Sequence, residues 1–145
     1  MEKKVIVLID KDGFSDIKLM LESILSEEKI KDVEIVLDKD FKKISDTNDT
    51  CFVFDYDNQD IKDYLRSKDA KMISFGKTCD ADLCATDNID TEGGINFKLN
   101  YKGSIVPVWL KNSKPQSIQN ALLAFSVADA LGVSILDISE RLKNY

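Results

Sequence analysis

The hydrophobic residues in the first half of the chain form short runs separated by helical patterns. Residues 5–9 are a continuous apolar run, as expected of a strand covered on both faces, and further strands are predicted at residues 33–37, 51–54 and 72–75. Apolar residues at helical spacing begin at Phe14, and residues 59–67 predict a second, short helix. Residues 41–50 are polar and predict an irregular connection. Strands that alternate with helices in this way predict a parallel sheet flanked by helices.

The second half of the chain begins with extended segments. Residues 81–89 are predicted to be extended, and the apolar runs 95–101 and 105–110 flank the dipeptide Lys102-Gly103. Two such runs joined by a two-residue turn that ends in glycine indicate an antiparallel hairpin. The predicted fold class is therefore α/β: a mainly parallel sheet flanked by helices, with a small antiparallel β-hairpin unit.

Two helices are predicted after the hairpin. The first begins at a capping serine, Ser113, with Gln116 three residues later, and it ends at Gly132. Its buried face is predicted to contain Ile118, Leu122, Phe125 and Ala128. Asp129 borders this face and is expected to lie in solvent. Ser134 is expected to cap a last helix in a similar way.

The composition is that of a soluble globular domain, which we assign to residues 1–145. Hydrophobic residues make up 43% of the 145 positions and charged residues 32%, so the chain can form a core. The net charge of −6 argues against nucleic acid and anionic membranes as partners, because both require a basic face. The first residues lead into a strand and lack a secretory pattern. We therefore expect a cytoplasmic location.

The cysteine and histidine content limits the available chemistry. The chain has three cysteines, Cys51, Cys79 and Cys84, and no histidine. An odd number of cysteines without a secretory signal predicts reduced thiols. Three thiols without histidine are too few ligands for zinc, so we predict no metal site. The lack of histidine also excludes Ser-His-Asp and Cys-His catalytic devices.

Several phrases of the second half resemble one known family. Residues 120–132 read Asn-Ala-Leu-Leu-Ala-Phe-Ser-Val-Ala-Asp-Ala-Leu-Gly. This resembles the helix signature N-A-L-A-A-x-A-x-A-x-x-L-G of the central ATPase domain of the Mur ligases. Residues 94–99 are similar to the hairpin strand before that helix, and residues 135–142 to the helix after it. Ile-Ser-Phe-Gly at 73–76 and Ala-Asp-Leu at 81–83 resemble the family's I-T-F-G and A-D-V. The resemblance implies a Mur ligase central-domain fold with P-loop-NTPase-type topology.

The resemblance places the family's phosphate-binding loop at residues 5–16, where the chain departs from the pattern. The family's loop resembles G-T-x-G-K-T. Asp10 stands at its first glycine and Phe14 at its lysine, whereas Gly13 and Ser15 keep the second glycine and the hydroxyl. A P-loop holds phosphate through backbone N–H groups and that lysine. The departure therefore predicts a degenerate P-loop and no cofactor, with ATP and Mg²⁺ expected only if ligase activity survives.

The charges around this helix start also oppose phosphate binding. Three carboxylates lie close together there: Asp10, Asp12 and Asp16. Two like charges ~5 Å apart repel by about 3 kcal/mol at an effective dielectric constant of ~20. Asp57 stands where the family has a strand ending in N-x-D-D, and Asn120 matches an asparagine of the helix signature. With Gly13 and Ser15, these residues are predicted to form a vestigial nucleotide cleft that has no catalytic residue.

We therefore predict a non-catalytic Mur-ligase-like domain that acts through a protein partner or a small molecule. One alternative is a residual ATP-dependent amide ligase or nucleotide-binding subunit that needs a partner chain for its missing parts. Another is a Mg²⁺-dependent phosphatase, because residues 5–16 also resemble the strand and D-x-D-G of haloacid-dehalogenase-type enzymes. In that case Asp10 would be the nucleophile, Asp12 the general acid/base and Ser74 part of a second motif.

Overall fold

In the computed structural model the chain forms one mixed sheet with helices on both faces. The structure describes residues 4–9, 14–44, 49–111 and 117–144. The strands are β1 (Lys4–Ile9), β2 (Val33–Leu37), β3 (Thr50–Asp55), β4 (Lys71–Gly76), β5 (Leu83–Thr91), β6 (Gly94–Tyr101) and β7 (Ser104–Leu110). Their order in the sheet is β2-β1-β3-β4-β5-β6-β7. The pairs up to β4–β5 are parallel, and β5–β6 and β6–β7 are antiparallel.

Helices connect the strands and cover the sheet. In the described ranges they are α1 (Phe14–Ile24), α2 (Glu27–Ile30), α3 (Gln59–Leu65), α4 (Ser117–Leu131) and α5 (Ile135–Lys143), with a 3-10 helix at Asp38–Lys43. The core residues of α1, α4 and α5 pack together on one face of the sheet. Those of α3 and the 3-10 helix pack on the other face. Nowhere in these ranges is a helix long and apolar enough to cross a membrane.

The apolar runs form strands because both faces of the parallel part of the sheet are covered. Successive side chains of a strand point to opposite faces, so Val5 and Val7 of β1 join the core with α4, and Ile6 and Leu8 join the core with α3. Residues Val5 to Ile9 are all buried, at 7% exposure or less. The predicted parallel arrangement is confirmed, and β1 and β3 lack polar alternation because neither of their faces meets water.

The antiparallel hairpin is also confirmed, but it continues the main sheet instead of forming a separate unit. β6 and β7 are joined by Lys102 and Gly103, with φ values of 48° and 79°. Positive φ at both central residues is typical of the tight turn that matches the twist of a hairpin. On its other side β6 pairs with β5 from Thr91 to Leu83. The sheet therefore changes from parallel to antiparallel at β5.

Two predicted helix starts have different outcomes. The predicted cap of α4 at Ser113 and Gln116 lies outside the described residues, and α4 begins at Ser117 in the structure. Ser134 stands at the N-cap position of α5 as predicted, but its side chain makes no capping hydrogen bond, which corrects that expectation. Instead, its backbone carbonyl accepts a hydrogen bond from the N–H of Ile138 at 3.1 Å. The predicted stop at Gly132 is confirmed by its φ of 76°.

The expectation of reduced thiols is wrong for two of the three cysteines. Cys79 and Cys84 form a disulfide with a Cα–Cα distance of 5.2 Å, and Cys51 is buried and outside this disulfide. The bond closes the connection between β4 and β5. It forms because the chain turns back at once to pair β5 beside β4, which brings these two residues together. An odd number of cysteines could not exclude this bond, because two of the three can pair while Cys51 stays outside the disulfide.

The disulfide is testable by counting thiols. In denaturant without reductant, a maleimide should label one cysteine per chain, and after reduction it should label three. Reduction should also lower the free energy of unfolding by about 2 kcal/mol, since the closed loop is short. As a control, a Cys51→Ser variant should take no label before reduction. Three labels on the untreated protein, read by mass spectrometry, would restore the original expectation of reduced thiols.

A second prediction concerns the start of β6, where Gly94 approaches β7 closely. A Cβ atom on Gly94 would overlap the carbonyl oxygen of Leu110 and lie 3.0 Å from that of Lys111. Because both obstacles are backbone, Gly94→Ala should lower the free energy of unfolding by about 3 kcal/mol, measured by urea denaturation.

Gly93 supplies the matched control for this substitution. A Cβ atom at Gly93 would meet its nearest neighbour, the ring of Trp109, at 3.9 Å, an ordinary contact distance. Gly93→Ala should therefore change stability by less than about 0.5 kcal/mol. Equal effects of the two substitutions would contradict the close pairing of β6 with β7.

Candidate functional site

Three of the four predicted nucleotide-cleft residues, Ser15, Asp57 and Asn120, belong to elements that reach one edge of the sheet. β1, β3 and β4 are parallel, so their carboxyl ends lie at the same edge. α1 starts beyond the end of β1, and its first turn contains Ser15. Gly13 and the side chain of Ser15 lie outside the described residues, as do Asp10 and Asp12. Asp57 follows the end of β3 and is therefore also at this edge.

Asn120 reaches the same edge through the direction of α4. The last turn of α4, with Asp129 and Ala130, lines a cavity together with the amino ends of β3 and β4. A 15-residue helix is about 22 Å long, and a six-residue strand is about 20 Å long. The first turns of α4, which contain Asn120, therefore lie at the carboxyl edge. Asn120 is partly exposed there.

Asp57 links β3 to β4 at this edge. Its Oδ2 accepts a hydrogen bond from the backbone N–H of Lys77 at 2.9 Å. Its own N–H donates to Oδ1 of Asp55, also at 2.9 Å. A Cβ atom on Gly76 would lie 3.1 Å from Asp57 Oδ2, so glycine at this position allows the carboxylate to approach the backbone. Asp57 thus closes the turn after β3 and holds the start of the β4–β5 connection.

The surroundings of the Asp55 carboxyl shift its pKa. Burial at the end of β3 raises the pKa of the Asp55 carboxyl above its usual 3.8, and the charge of Asp57 raises it further. The hydrogen bond from the Asp57 N–H and the charge of Lys77 lower the pKa, but burial is the largest effect. Each carboxylate accepts a hydrogen bond from a backbone N–H: Asp55 from that of Asp57, and Asp57 from that of Lys77. Among the described residues, no three His, Cys, Asp or Glu side chains are grouped to hold a metal ion.

Ser74 does not support the phosphatase alternative. It lies inside β4, two residues before the strand ends, and is 5% exposed. Its hydroxyl donates to Oδ2 of Asp82 at 3.2 Å and accepts from the N–H of Asp82 at 3.1 Å. A serine engaged in this way is not presented at the carboxyl edge where a phosphate would have to bind.

A cavity lies at the opposite edge of the sheet. It has a volume of about 830 Å³ and lies among the amino ends of β3 and β4, the β6–β7 turn and the last turn of α4. Asp129 lines it, with 14% of its side chain exposed. It accepts a hydrogen bond from the hydroxyl of Tyr101 and lies 3.6 Å from the ammonium group of Lys102.

Asp129 was expected in solvent, and this expectation is wrong. The β6–β7 turn lies against the last turn of α4 and encloses the carboxylate. Burial and the hydrogen bond to Asp129 raise the pKa of Tyr101 above its usual 10.0. Interactions with Tyr101 and with the charge of Asp129 raise the pKa of Lys102. These three residues therefore form a charged group between the hairpin and the helix.

Sequence reasoning missed this cavity because its lining comes from five separate segments of the chain. One signal was available: Asp129 is the one charged residue in the α4 segment Ala121–Leu131, which is otherwise apolar or small. A single aspartate in such a helix requires a hydrogen-bonding partner or water. It does not indicate which of the two is present.

Comparisons with known proteins address the fold and the family. No family model matches the chain. Over 89 residues the chain is 35% identical to UDP-N-acetylmuramate–L-alanine ligase from Persephonella marina, covering 61% of this chain and 19% of that protein. The chain therefore spans about a fifth of the length of this curated relative.

Solved structures match over nearly the whole chain. One is the UDP-N-acetylmuramoylalanyl-D-glutamyl-2,6-diaminopimelate–D-alanyl-D-alanyl ligase from Acinetobacter baumannii, with a TM-score of 0.73 and 18% identity, covering 98% of this chain and 46% of that one. Another is the MurF ligase from Thermotoga maritima in complex with ADP, with a TM-score of 0.69 and 14% identity, covering 96% and 48%. The fold is thus the α/β fold of the Mur ligase central domain.

The sequence match supports the same relationship. Together the two comparisons confirm the resemblance to the Mur ligase family that residues 120–132 and the preceding hairpin indicated. The chain is a Mur-ligase-like domain that spans less than half of each of these two solved ligases.

The raised pKa of Asp55 gives a pH-dependent prediction. A carboxyl whose pKa is raised by folding destabilises the folded state once pH exceeds its unfolded value, near 3.8. Asp55→Asn keeps an oxygen that can accept from the Asp57 N–H and removes the charge. The melting temperature of this variant should exceed that of wild type at pH 7, and the difference should disappear near pH 3.

The control for this prediction is Asp55→Ala, which removes both the charge and the acceptor. It should be less stable than Asp55→Asn at both pH values, by about 1 kcal/mol for the lost hydrogen bond. If Asp55→Asn is less stable than wild type at pH 7, the carboxylate is stabilised by a contact at this edge, and the effect of burial assigned here is wrong.

Proposed function

We propose that this Mur-ligase-like domain does not catalyse ligation by itself and acts by binding a protein partner or a small molecule. The observation that carries the proposal is Phe14, which stands where the family's phosphate-binding lysine is expected. Backbone N–H groups and one lysine provide most of the grip on phosphate in such loops. An aromatic side chain cannot replace that charge.

The carboxyl edge adds a second line of support. Asp57, the residue expected to survive from the nucleotide cleft, accepts the Lys77 N–H, and its backbone is held by Asp55. Through these contacts the two carboxylates stabilise the turn after β3 and the start of the β4–β5 connection. Asp55 and Asp57 carry negative charge at this edge, which opposes an incoming triphosphate, and the sequence adds Asp10, Asp12 and Asp16 around the start of α1.

The net charge of −6 also restricts the class of partner. Nucleic acid and anionic lipid surfaces are attracted by basic faces, so our proposal excludes them and favours a protein. We propose a cytoplasmic location for this binding role and no cofactor.

One alternative has specific support. Ser15, Asp57 and Asn120 map to one edge of the sheet, as they would in a nucleotide cleft, and the sequence match is to a ligase. A residual nucleotide-binding subunit completed by another chain would keep this arrangement. The two functions differ in whether the isolated domain binds nucleotide.

Thermal unfolding with and without nucleotide tests the proposal. We expect millimolar ATP–Mg²⁺ or ADP–Mg²⁺ to shift the melting temperature by less than about 1 °C. A ligand present at about 100 times its Kd adds ~2.7 kcal/mol, or roughly 5–10 °C for a domain of this size. A shift of that order would contradict the proposal and favour the residual nucleotide-binding subunit.

Two controls make a negative result informative. The Thermotoga maritima MurF ligase, whose structure contains ADP, should be stabilised by the same nucleotide solutions. In this chain, the double variant Asp10→Gly, Phe14→Lys restores the two family residues. A nucleotide shift in the double variant alone would show that these positions caused the loss of binding.

A further inference from the structure

The cavity at the amino edge lies beside an unpaired stretch of strand. β3 pairs with β4 along its whole length, from Cys51–Lys71 to Asp55–Phe75. β5 pairs with β4 only at Phe75–Leu83 and Gly76–Cys84. In the described part of the chain, the four residues from Lys71 to Ser74 therefore have no strand on their β5 side. Tyr101 and Lys102 of the β6–β7 turn line the far side of this gap, because Tyr101 pairs with Leu83, the first residue of β5. We call the gap beside Lys71–Ser74 the slot.

Hydrogen bonds at the end of the strand show which backbone groups face the slot. The carbonyl of Phe75 accepts from the N–H of Tyr56 at 2.8 Å, so Phe75 directs its backbone groups toward β3. The N–H of Ser74 donates to Oδ2 of Asp82 at 2.9 Å, on the opposite side. Backbone groups alternate in direction along a strand. Met72 therefore directs its N–H and C=O into the slot, as Ser74 directs its N–H.

Asp82 marks the point where strand pairing would otherwise continue. Its carboxylate accepts a hydrogen bond from the N–H of Ser74, and its own N–H donates to the Ser74 hydroxyl at 3.1 Å. The Asp82 side chain thus takes the place of a neighbouring strand at Ser74. Among the described residues, neither a side chain nor a strand pairs with the backbone of Met72 on this side, and Met72 lines the cavity. Unpaired N–H and C=O groups on a strand edge are a template for another extended segment.

The charges around the slot indicate the character of the segment. Four carboxylates and two ammonium groups line the cavity: Asp49, Asp69, Asp82, Asp129, Lys71 and Lys102. Lys102 lies beside Asp129, and Asp82 is engaged by Ser74. The balance is negative, and the last turn of α4 adds the negative end of a helix dipole.

We propose that this slot binds an extended, basic segment of a partner protein, which adds a strand beside Lys71–Ser74. Main-chain hydrogen bonds to Met72 fix the segment, and lysine or arginine side chains reach the lining carboxylates. The unpaired stretch is about 13 Å long, which fits about four residues. The inference rests on the proposed binding role and specifies the class of partner.

A defined peptide tests the slot directly. The probe is a five-residue peptide of alternating valine and lysine, blocked at both ends, titrated into isotopically labelled protein. We expect saturable binding with the largest amide shifts at residues 71–74 and 101–103. A matched peptide with glutamate in place of lysine should bind at least tenfold more weakly.

Variants of Met72 separate the backbone from the side chain. Met72→Pro removes the N–H that faces the slot without removing a bond to β3, and a strand edge tolerates proline. It should weaken binding of the lysine peptide at least tenfold, whereas Met72→Ala, which keeps the N–H, should weaken it less than threefold. Circular dichroism checks that both variants fold. If Met72→Pro fails to fold, methylation of the peptide's central amide tests the same bonds from the other side.

Charge reversal tests the acidic lining in the same way. Asp69→Lys should weaken binding of the lysine peptide at least fivefold. The matched control is Asp90→Lys. Asp90 follows Leu83, the first residue of β5, by seven positions, so it is about 23 Å from the slot. This substitution should leave binding unchanged.

Three outcomes would overturn the inference: no saturable binding at millimolar peptide, equal binding of the lysine and glutamate peptides, or shifts on another surface. The nucleotide experiment tests binding at the opposite edge of the sheet. A nucleotide shift would therefore contradict the proposed function while the peptide result stood, and absent peptide binding with no nucleotide shift would overturn the slot alone.

Discussion

The fold depends on the burial of α4 between the sheet and the helices α1 and α5. From Ala121 to Ala128 every residue of α4 is buried, several at 0% exposure. A helix that is apolar on all sides has no solvent-facing orientation and must be enclosed. Leu122 and Phe125 alone each contribute about 1.5–3 kcal/mol by leaving water. Because α4 spans the height of the sheet, its position defines both edges, and both candidate sites lie at its ends.

Much of this architecture was predictable because it follows from local patterns. Continuous apolar runs can form strands only where both faces are covered, and β1 and β3 occur where such runs lie. The turn at Lys102 and Gly103 was predictable because glycine readily adopts the positive φ that both of its central residues have. The helix phrase at 120–132 carried both the shape of α4 and the relationship to the Mur ligases.

The unpredicted features depend on where separate elements meet. Hydrophobic spacing identifies β4 and β5, but it cannot show that β5 pairs with only the last two residues of β4. That register creates the slot and brings Cys79 to Cys84. Asp129 was misplaced for the same reason: its helical position borders the core, but the residue that encloses it, Tyr101, is 28 positions away. The position of Asp57 at the carboxyl edge could be predicted from the strand that precedes it. Its hydrogen bond with the backbone of Lys77 could not be predicted, because the two residues belong to separate connections.

The two edges of the sheet therefore differ in what they still offer a ligand. At the carboxyl edge, where parallel α/β sheets usually bind ligands, the acceptors of Asp55 and Asp57 are used by the chain's own N–H groups. At the amino edge, Asp82 satisfies one N–H of β4, and the peptide groups of Met72 face an open cavity. Carboxylates repel an incoming phosphate, whereas unpaired backbone N–H and C=O groups can still form hydrogen bonds with an added strand. The amino edge therefore offers hydrogen bonds that do not depend on the phosphate-binding loop at the other edge.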